Sequence, residues 1–210
     1  MLSQRFIKKK VLILGAALAI AGCAGGGTKP EVETTSPVQG EAAETPPQVL
    51  TMFEQATASM AAGDFVDAEL RFQEFLLQYP QYPGAHVNLA IIHAGSGNDA
   101  AARAALDAAL ALNPNHPAAL NQLGMLLRRN GNFLEAEAAY LKAVTVSPDY
   151  ALAHYNLGVL NELYLQRLDV ALQHFETYQT LVGEDKQVEK WIADLRRRVA
   201  AAQRTANVAE

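Results

Sequence analysis

The chain has 210 residues with 22 acidic and 17 basic side chains, a formal net charge of −5, and half of its residues are hydrophobic. Four basic residues, Arg5, Lys8, Lys9 and Lys10, stand in the first ten positions, so the remainder carries −9, a balance that excludes nucleic acid as a partner. Cys23 is the single cysteine, which excludes an intramolecular disulfide and a thiolate metal cluster.

Residues 1–22 have the pattern of a signal peptide. The basic start is followed by an apolar run from Val11 to Ala21, well short of the roughly 20 residues that span a bilayer. The segment Ile20-Ala21-Gly22-Cys23 resembles the bacterial lipobox. That resemblance implies that Cys23 is diacylated, becomes the new N-terminus on cleavage and is then acylated on its amino group. It also implies, from Ala24 after the cysteine, a lipid-anchored protein of the outer membrane facing the periplasm. No other cofactor is expected.

Residues 23–48 read as a lipidated cysteine and a disordered tether. Gly25, Gly26, Gly27, Pro30, Pro37, Gly40, Pro46 and Pro47 are mixed with Thr and Glu and cannot bury a core. As a flexible coil such a stretch spans about 25–30 Å. Gly25-Gly26-Gly27-Thr28-Lys29 lacks the spacing of a phosphate-binding loop.

From Val49 the chain repeats itself every 34 residues, giving units 49–82, 83–116, 117–150 and 151–184. The eighth column holds Ala56, Ala90, Gly124 and Gly158, the twentieth Ala68, Ala102 and Ala136, and the thirty-second Pro80, Pro114 and Pro148. In the third unit Leu120, Leu123, Gly124 and Leu127 share one helical face, and Gly131-Asn132 breaks the helix. Phe133, Ala136, Tyr140, Ala143 and Val144 form a second face that Pro148 ends. Small residues at Gly124, Ala136 and Ala143 let the two helices approach, while Leu123, Leu127 and Tyr140 fill the flanking grooves. A period of this length means stacked helix–turn–helix units rather than one closed core. The fourth unit carries an extra residue near Gln166-Arg167, after which Ala171 and Phe175 return to register.

These columns resemble the tetratricopeptide repeat, with Phe72, Tyr140 and Phe175 at the aromatic position and Leu106 replacing it in the second unit. The resemblance implies an all-α, right-handed solenoid of four repeats, with the first helix of each pair lining a concave groove. Residues 185–204 are expected to form a capping helix, with Val188, Trp191, Ile192, Leu195, Val199 and Ala202 along its apolar stripe and Trp191 as anchor. Residues 205–210 are expected to be a disordered tail. Arg196-Arg197-Arg198 favours the helix macrodipole and keeps the cap in water, or meets acidic lipid headgroups.

Carried onto this chain, the groove columns place Phe53, Asn88, Ile91, Asn121, Gln122, Met125, Arg128, Tyr155, Asn156 and Val159 as the partner-binding residues. Asn88, Gln122 and Asn156 recur in one column, an amide ladder suited to the peptide groups of an extended segment. Asparagine there also supports helix packing, so contact and packing both stand for the ladder, as they do for Met125 and Tyr155. Only Arg128 and Arg129 are basic, which disfavours a clamp for a terminal carboxylate. His86 and His93 lack a ligand set at metal-binding spacing, and His86 and His154 read as partly buried structural residues. No catalytic motif is present, so a non-enzymatic scaffold is expected. Its partner would be a segment of another envelope protein, as in pilotins, pilus-assembly and barrel-assembly lipoproteins or adaptors of peptidoglycan enzymes, which the architecture resembles. The alternative is a structural protein that packs against a second copy of itself.

Overall fold

The computed structural model describes residues 46–209. The expected signal peptide, Cys23 with most of its tether, and Glu210 lie outside the described residues.

Proline opens three of the helices. Pro47, Pro83 and Pro117 stand in the first turns of α1 (Pro47–Ala61), α3 (Pro83–Gly95) and α5 (Pro117–Arg129), where a missing N–H breaks no helical bond. α1 thereby takes in Pro47 and Gln48, two residues expected to belong to the tether. α2 (Phe65–Gln78) and α4 (Asp99–Leu112) start differently: the Asp64 and Asn98 side chains accept the backbone N–H of Asp67 and Ala101, each at 3.1 Å. α6 (Phe133–Val146), α7 (Ala151–Leu163), α8 (Leu168–Val182) and α9 (Lys186–Ala209) follow, and no strand occurs among the described residues.

Each odd helix packs on the even helix after it, each pair packs on the next, and α9 packs on α8. The all-α stack of four helix pairs closed by a C-terminal helix is therefore the observed architecture. Within the first three pairs the chain reverses through Gly63, Gly97 and Gly131, at φ of 82°, 80° and 80°. The fourth pair has Gln166 in the left-handed region instead, at φ 57°, a conformation that disfavours side chains by about 1–2 kcal/mol. Its side-chain amide donates to the carbonyls of Glu162 and Leu163, which α7 would otherwise leave open. This is how the extra residue is absorbed before Ala171 and Phe175 return to the core.

The repeating columns form the contact between paired helices. Phe72, Tyr140 and Phe175 are fully buried. A Cβ on Gly124 would sit 2.5 Å from the Tyr140 ring, and one on Gly158 would sit 2.7 Å from the Phe175 ring. These glycines are close-approach sites that let a ring lie flat on the facing helix. Phe75, at a usually small position, is also buried, edge-on to Phe53 at 5.6 Å and Tyr82 at 5.4 Å. Apolar clusters bridge neighbouring pairs rather than converging on one centre.

Polar ties join the same neighbours. Arg129 donates to the Ala94 carbonyl at 2.7 Å and pairs with Asp99. Arg167 pairs with Glu137, Arg198 with Glu162 and Arg196 with Glu176. At the first joint only His93 and Glu69 face each other, 3.9 Å apart.

α9 departs from expectation in two ways. It continues to Ala209, through the stretch expected to be a disordered tail, because residues 200–209 hold several alanines and no glycine or proline. Its buried contacts are Val188, Ile192 and Leu195, whereas Trp191 is half-buried at their edge and Ala202 is exposed. Trp191 lies 5.7 Å from Phe175 and 6.1 Å from Tyr155, so it roofs an aromatic cluster more than it anchors the cap.

Candidate partner-binding groove

α3 packs on α5 and α5 on α7, so the first helices of successive pairs share one face. On that face lies a cleft of about 480 Å³. Its floor is Ala90, Ala102, Leu106 and Leu126, and its sides are Ala94, Gln122, Met125, Arg128, Arg129, Val159 and Tyr164. The periodicity places these residues: Gln122, Met125 and Arg129 project from α5 at helical spacing, and Val159 comes from α7.

Four of the ten groove candidates therefore converge: Gln122, Met125, Arg128 and Val159. Phe53 lines a separate hollow of about 310 Å³ with Leu50, Glu54 and Tyr82, and its ring also packs edge-on to Phe72. Ile91 lines a third, of about 350 Å³, beside Phe65 and Val66. Asn88 is half-buried on α3. Asn121 and Asn156 are buried, at 1 % and 6 % exposure, and bonded to each other, the Asn156 amide donating to Asn121 Oδ1 at 2.9 Å. Asn121 in turn donates to Met125 Sδ at 3.8 Å. The Asn156–Asn121 bond ties α7 to α5, so two amides read as facing a ligand serve the packing between repeats. Tyr155 stacks within 6.0 Å of Phe175 and 5.3 Å of Tyr178, and burial, then Asp185, raises its hydroxyl pKa.

Arg128 and Arg129 are adjacent but differently used. Arg129 is bound to Ala94 and Asp99. Arg128 takes part in none of the ion pairs among the described residues. Its charge reaches the phenols of Tyr140 and Tyr155, opposing the burial that pushes Tyr140 up to about 12. The Arg196-Arg197-Arg198 run, in contrast, is consumed by Glu176, Asp194 and Glu162.

Sequence reasoning missed three features. Tyr164 leaves the end of α7 to stack on Phe133, ring centroids 4.6 Å apart, and walls the cleft. The extra residue of the fourth unit was its only signal. Leu106, noted as a departure at the aromatic column, turns out to be cleft floor. His174 was not singled out at all. Its Nδ1 lies 3.1 Å from His154 Nδ1, while His154 Nε2 lies 3.1 Å from the Pro148 carbonyl. That carbonyl can only accept, so neutral His154 carries its proton on Nε2 and His174 donates through Nδ1. No group of three or more metal-ligating side chains occurs among the described residues.

Burial first, and the His154 ring second, hold the His174 pKa down at about 4, against the ordinary 6.5. A histidine kept neutral by the fold contributes stability above the unfolded pKa and loses it as pH falls towards the folded one. The melting temperature is therefore expected to fall between pH 6.5 and 4, followed by circular dichroism, and His174→Phe should flatten that slope. An unchanged slope in the variant would place the acid sensitivity elsewhere.

Two family models, each described as tetratricopeptide repeat, match residues 59–126 and 121–186, together more than half of the chain. No curated protein matches the sequence. Among solved structures, PilF of Pseudomonas aeruginosa is 24% identical, over 74% of this chain and 72% of its own, with a TM-score of 0.65. MamA of Desulfovibrio magneticus RS-1 is 19% identical over 77% and 90%, with a TM-score of 0.59. The first TPR domain of Spaghetti (RPAP3), bound to the HSP90 peptide SRMEEVD, is 18% identical over 57% and 97%, with a TM-score of 0.53. At these identities the likeness is one of fold.

Proposed function

The chain belongs to the tetratricopeptide repeat family, whose stacked helix pairs are generally non-catalytic scaffolds for protein interaction, and from that premise we propose that it is a membrane-tethered adaptor of the bacterial envelope. Its cleft holds an extended segment of another envelope protein, and a lipid on Cys23 keeps the module at the periplasmic face of the outer membrane. The adaptor thereby aids assembly of a complex such as a pilus or secretion machine.

The observation that carries the binding half is the convergence of Gln122, Met125, Arg128 and Val159 on one apolar-floored cleft. Its volume of about 480 Å³ lies in the range of ligand pockets. Tethering supports the reading energetically, because confinement raises the effective concentration of a weak site. A photo-crosslinker at Gln122 in growing cells is expected to capture a discrete envelope protein, and Met125→Glu to abolish the capture while circular dichroism stays unchanged. Met125 is 38 % exposed, so its charge-bearing variant tests contact rather than folding. Capture that survives Met125→Glu would remove the cleft from the proposal.

Self-association is the second reading. Val66, Leu70 and Leu77, at 74 %, 60 % and 86 % exposure, lie along one outward face of α2. Sedimentation of the purified protein alone separates the readings, since a dimer formed there needs no other partner.

A further inference from the structure

The chemistry of the partner is written in two features of the cleft, and this inference rests on the groove reading proposed above. The first is its floor. Three pairs fill the space between their helices with a ring, Phe72, Tyr140 or Phe175, each fully buried. The second pair has Leu106 at that column, in one buried cluster with Ala90. The central cleft lies over that pair, with Ala90, Ala102 and Leu106 as its base. Where the other repeats carry a ring, this one carries the smaller Leu106, buried with Ala90 and Ala102 beneath the apolar floor of the cleft.

The second feature is charge. Among the arginines from Arg71 to Arg198, each pairs with a carboxylate except Arg128. Arg128 is half-buried in the cleft wall. A cation partly withdrawn from water without a counter-charge is unfavourable until a partner arrives. Its planar guanidinium matches a carboxylate in two parallel hydrogen bonds. None of the carboxylates in the ion pairs of the described residues is paired with it. Asp99 is held by Arg129, Asp107 by Arg103 and Glu137 by Arg167.

We infer that the groove selects a segment carrying one large apolar or aromatic side chain, seated on the apolar floor that Ala90, Leu106 and Leu126 form, with a nearby aspartate or glutamate paired to Arg128. The carboxylate belongs to an internal residue. With Arg129 committed to Asp99 and Ala94, Arg128 is the cation of the described cleft wall left to meet one side chain. Gln122 beside it and Asn88 on α3 leave amides on the same face for the main chain of a segment that continues past the site.

The test uses the purified full chain and a random dodecapeptide library fused to protein at both ends, so that no free terminus is offered. Recovered peptides are expected to pair an aromatic or large aliphatic residue with an acid a few positions away. Arg128→Gln should weaken the leading peptide about tenfold, and changing the acid of that peptide to its amide should do the same. The two changes together should cost no more than either alone, because they remove one interaction. Ala94→Leu, which narrows the cleft, should weaken the same peptide without lowering the melting temperature. Additive losses, or peptides without acids, overturn this inference while leaving the groove in place if Met125→Glu still abolishes binding. Recovery only from a library with free C-termini assigns Arg128 to a terminal carboxylate and overturns it as well. No peptide from either library, or binding indifferent to Met125→Glu, overturns the groove reading itself.

Discussion

Phe175→Ala is expected to destabilise the protein by about 3–5 kcal/mol, the usual cost of deleting a buried ring. In a chain of this size that lowers the melting temperature by roughly 10 °C. The effect is large because the ring serves two joints at once. It lies flat on Gly158 of α7 and meets Trp191 of the cap at 5.7 Å, so its loss opens both the fourth pair and the closure over it. The second half of the prediction is a change of sign. In the wild-type background Gly158→Ala drives a methyl into the ring, 2.7 Å from its carbon atoms, and overpacking of that kind costs about 1–3 kcal/mol. In the Phe175→Ala background the obstacle is gone, and the same substitution should stabilise by up to about 1 kcal/mol through helix propensity. A double-mutant cycle by urea denaturation measures this coupling. If Gly158→Ala acts alike in both backgrounds, the glycine is not reserved for the ring.

Cys23→Ala is expected to empty the membrane fraction of mature protein. The three acyl chains proposed for Cys23 would exceed the two-signal threshold for stable anchoring, at about 0.8 kcal/mol for each buried methylene. Little else on the described residues would hold the protein there. No helix among them is long and apolar enough to cross a membrane. The three consecutive arginines of α9 are neutralised by Glu176, Asp194 and Glu162, which leaves no free basic cluster for acidic headgroups. Fractionation with immunoblotting should find either unprocessed precursor, held by its own apolar segment, or mature-sized protein in the supernatant. Mature-sized protein that stays with the membrane would sink the lipid anchor.

The stack itself was legible in the sequence because a 34-residue period encodes what each column packs against. Ala68, Ala102 and Ala136 are fully buried, as small residues in a shared column must be. Even the irregular fourth unit was signalled by a one-residue slip, which the fold resolves at Gln166. The cleft was legible only in part. A column says which face a side chain leaves from, but what it then meets depends on the neighbouring repeat. Asn156 points as the ladder requires and is taken by Asn121, 35 positions earlier. Arg128 and Arg129 look equivalent until Asp99, 30 positions away, claims one of them. His174 paired with His154 for the same reason. Distances between helices are set by packing, and periodicity does not contain them.

The ties between neighbouring pairs are not of one kind. The first joint rests on apolar packing, with Ala85, Leu89 and Ile92 of α3 set against a first-pair cluster that holds Phe53, Phe75, Tyr79 and Tyr82, and only a histidine facing a carboxylate across it. The later joints add arginine–carboxylate bridges, one or two at each. Salt screens exposed bridges and does not screen apolar packing. Ionic strength therefore acts unevenly along the stack: salt weakens the bridges of the later joints and leaves the cap to its contacts with Phe175 and Tyr155 and to its buried Val188, Ile192 and Leu195, while the first joint has little for salt to screen.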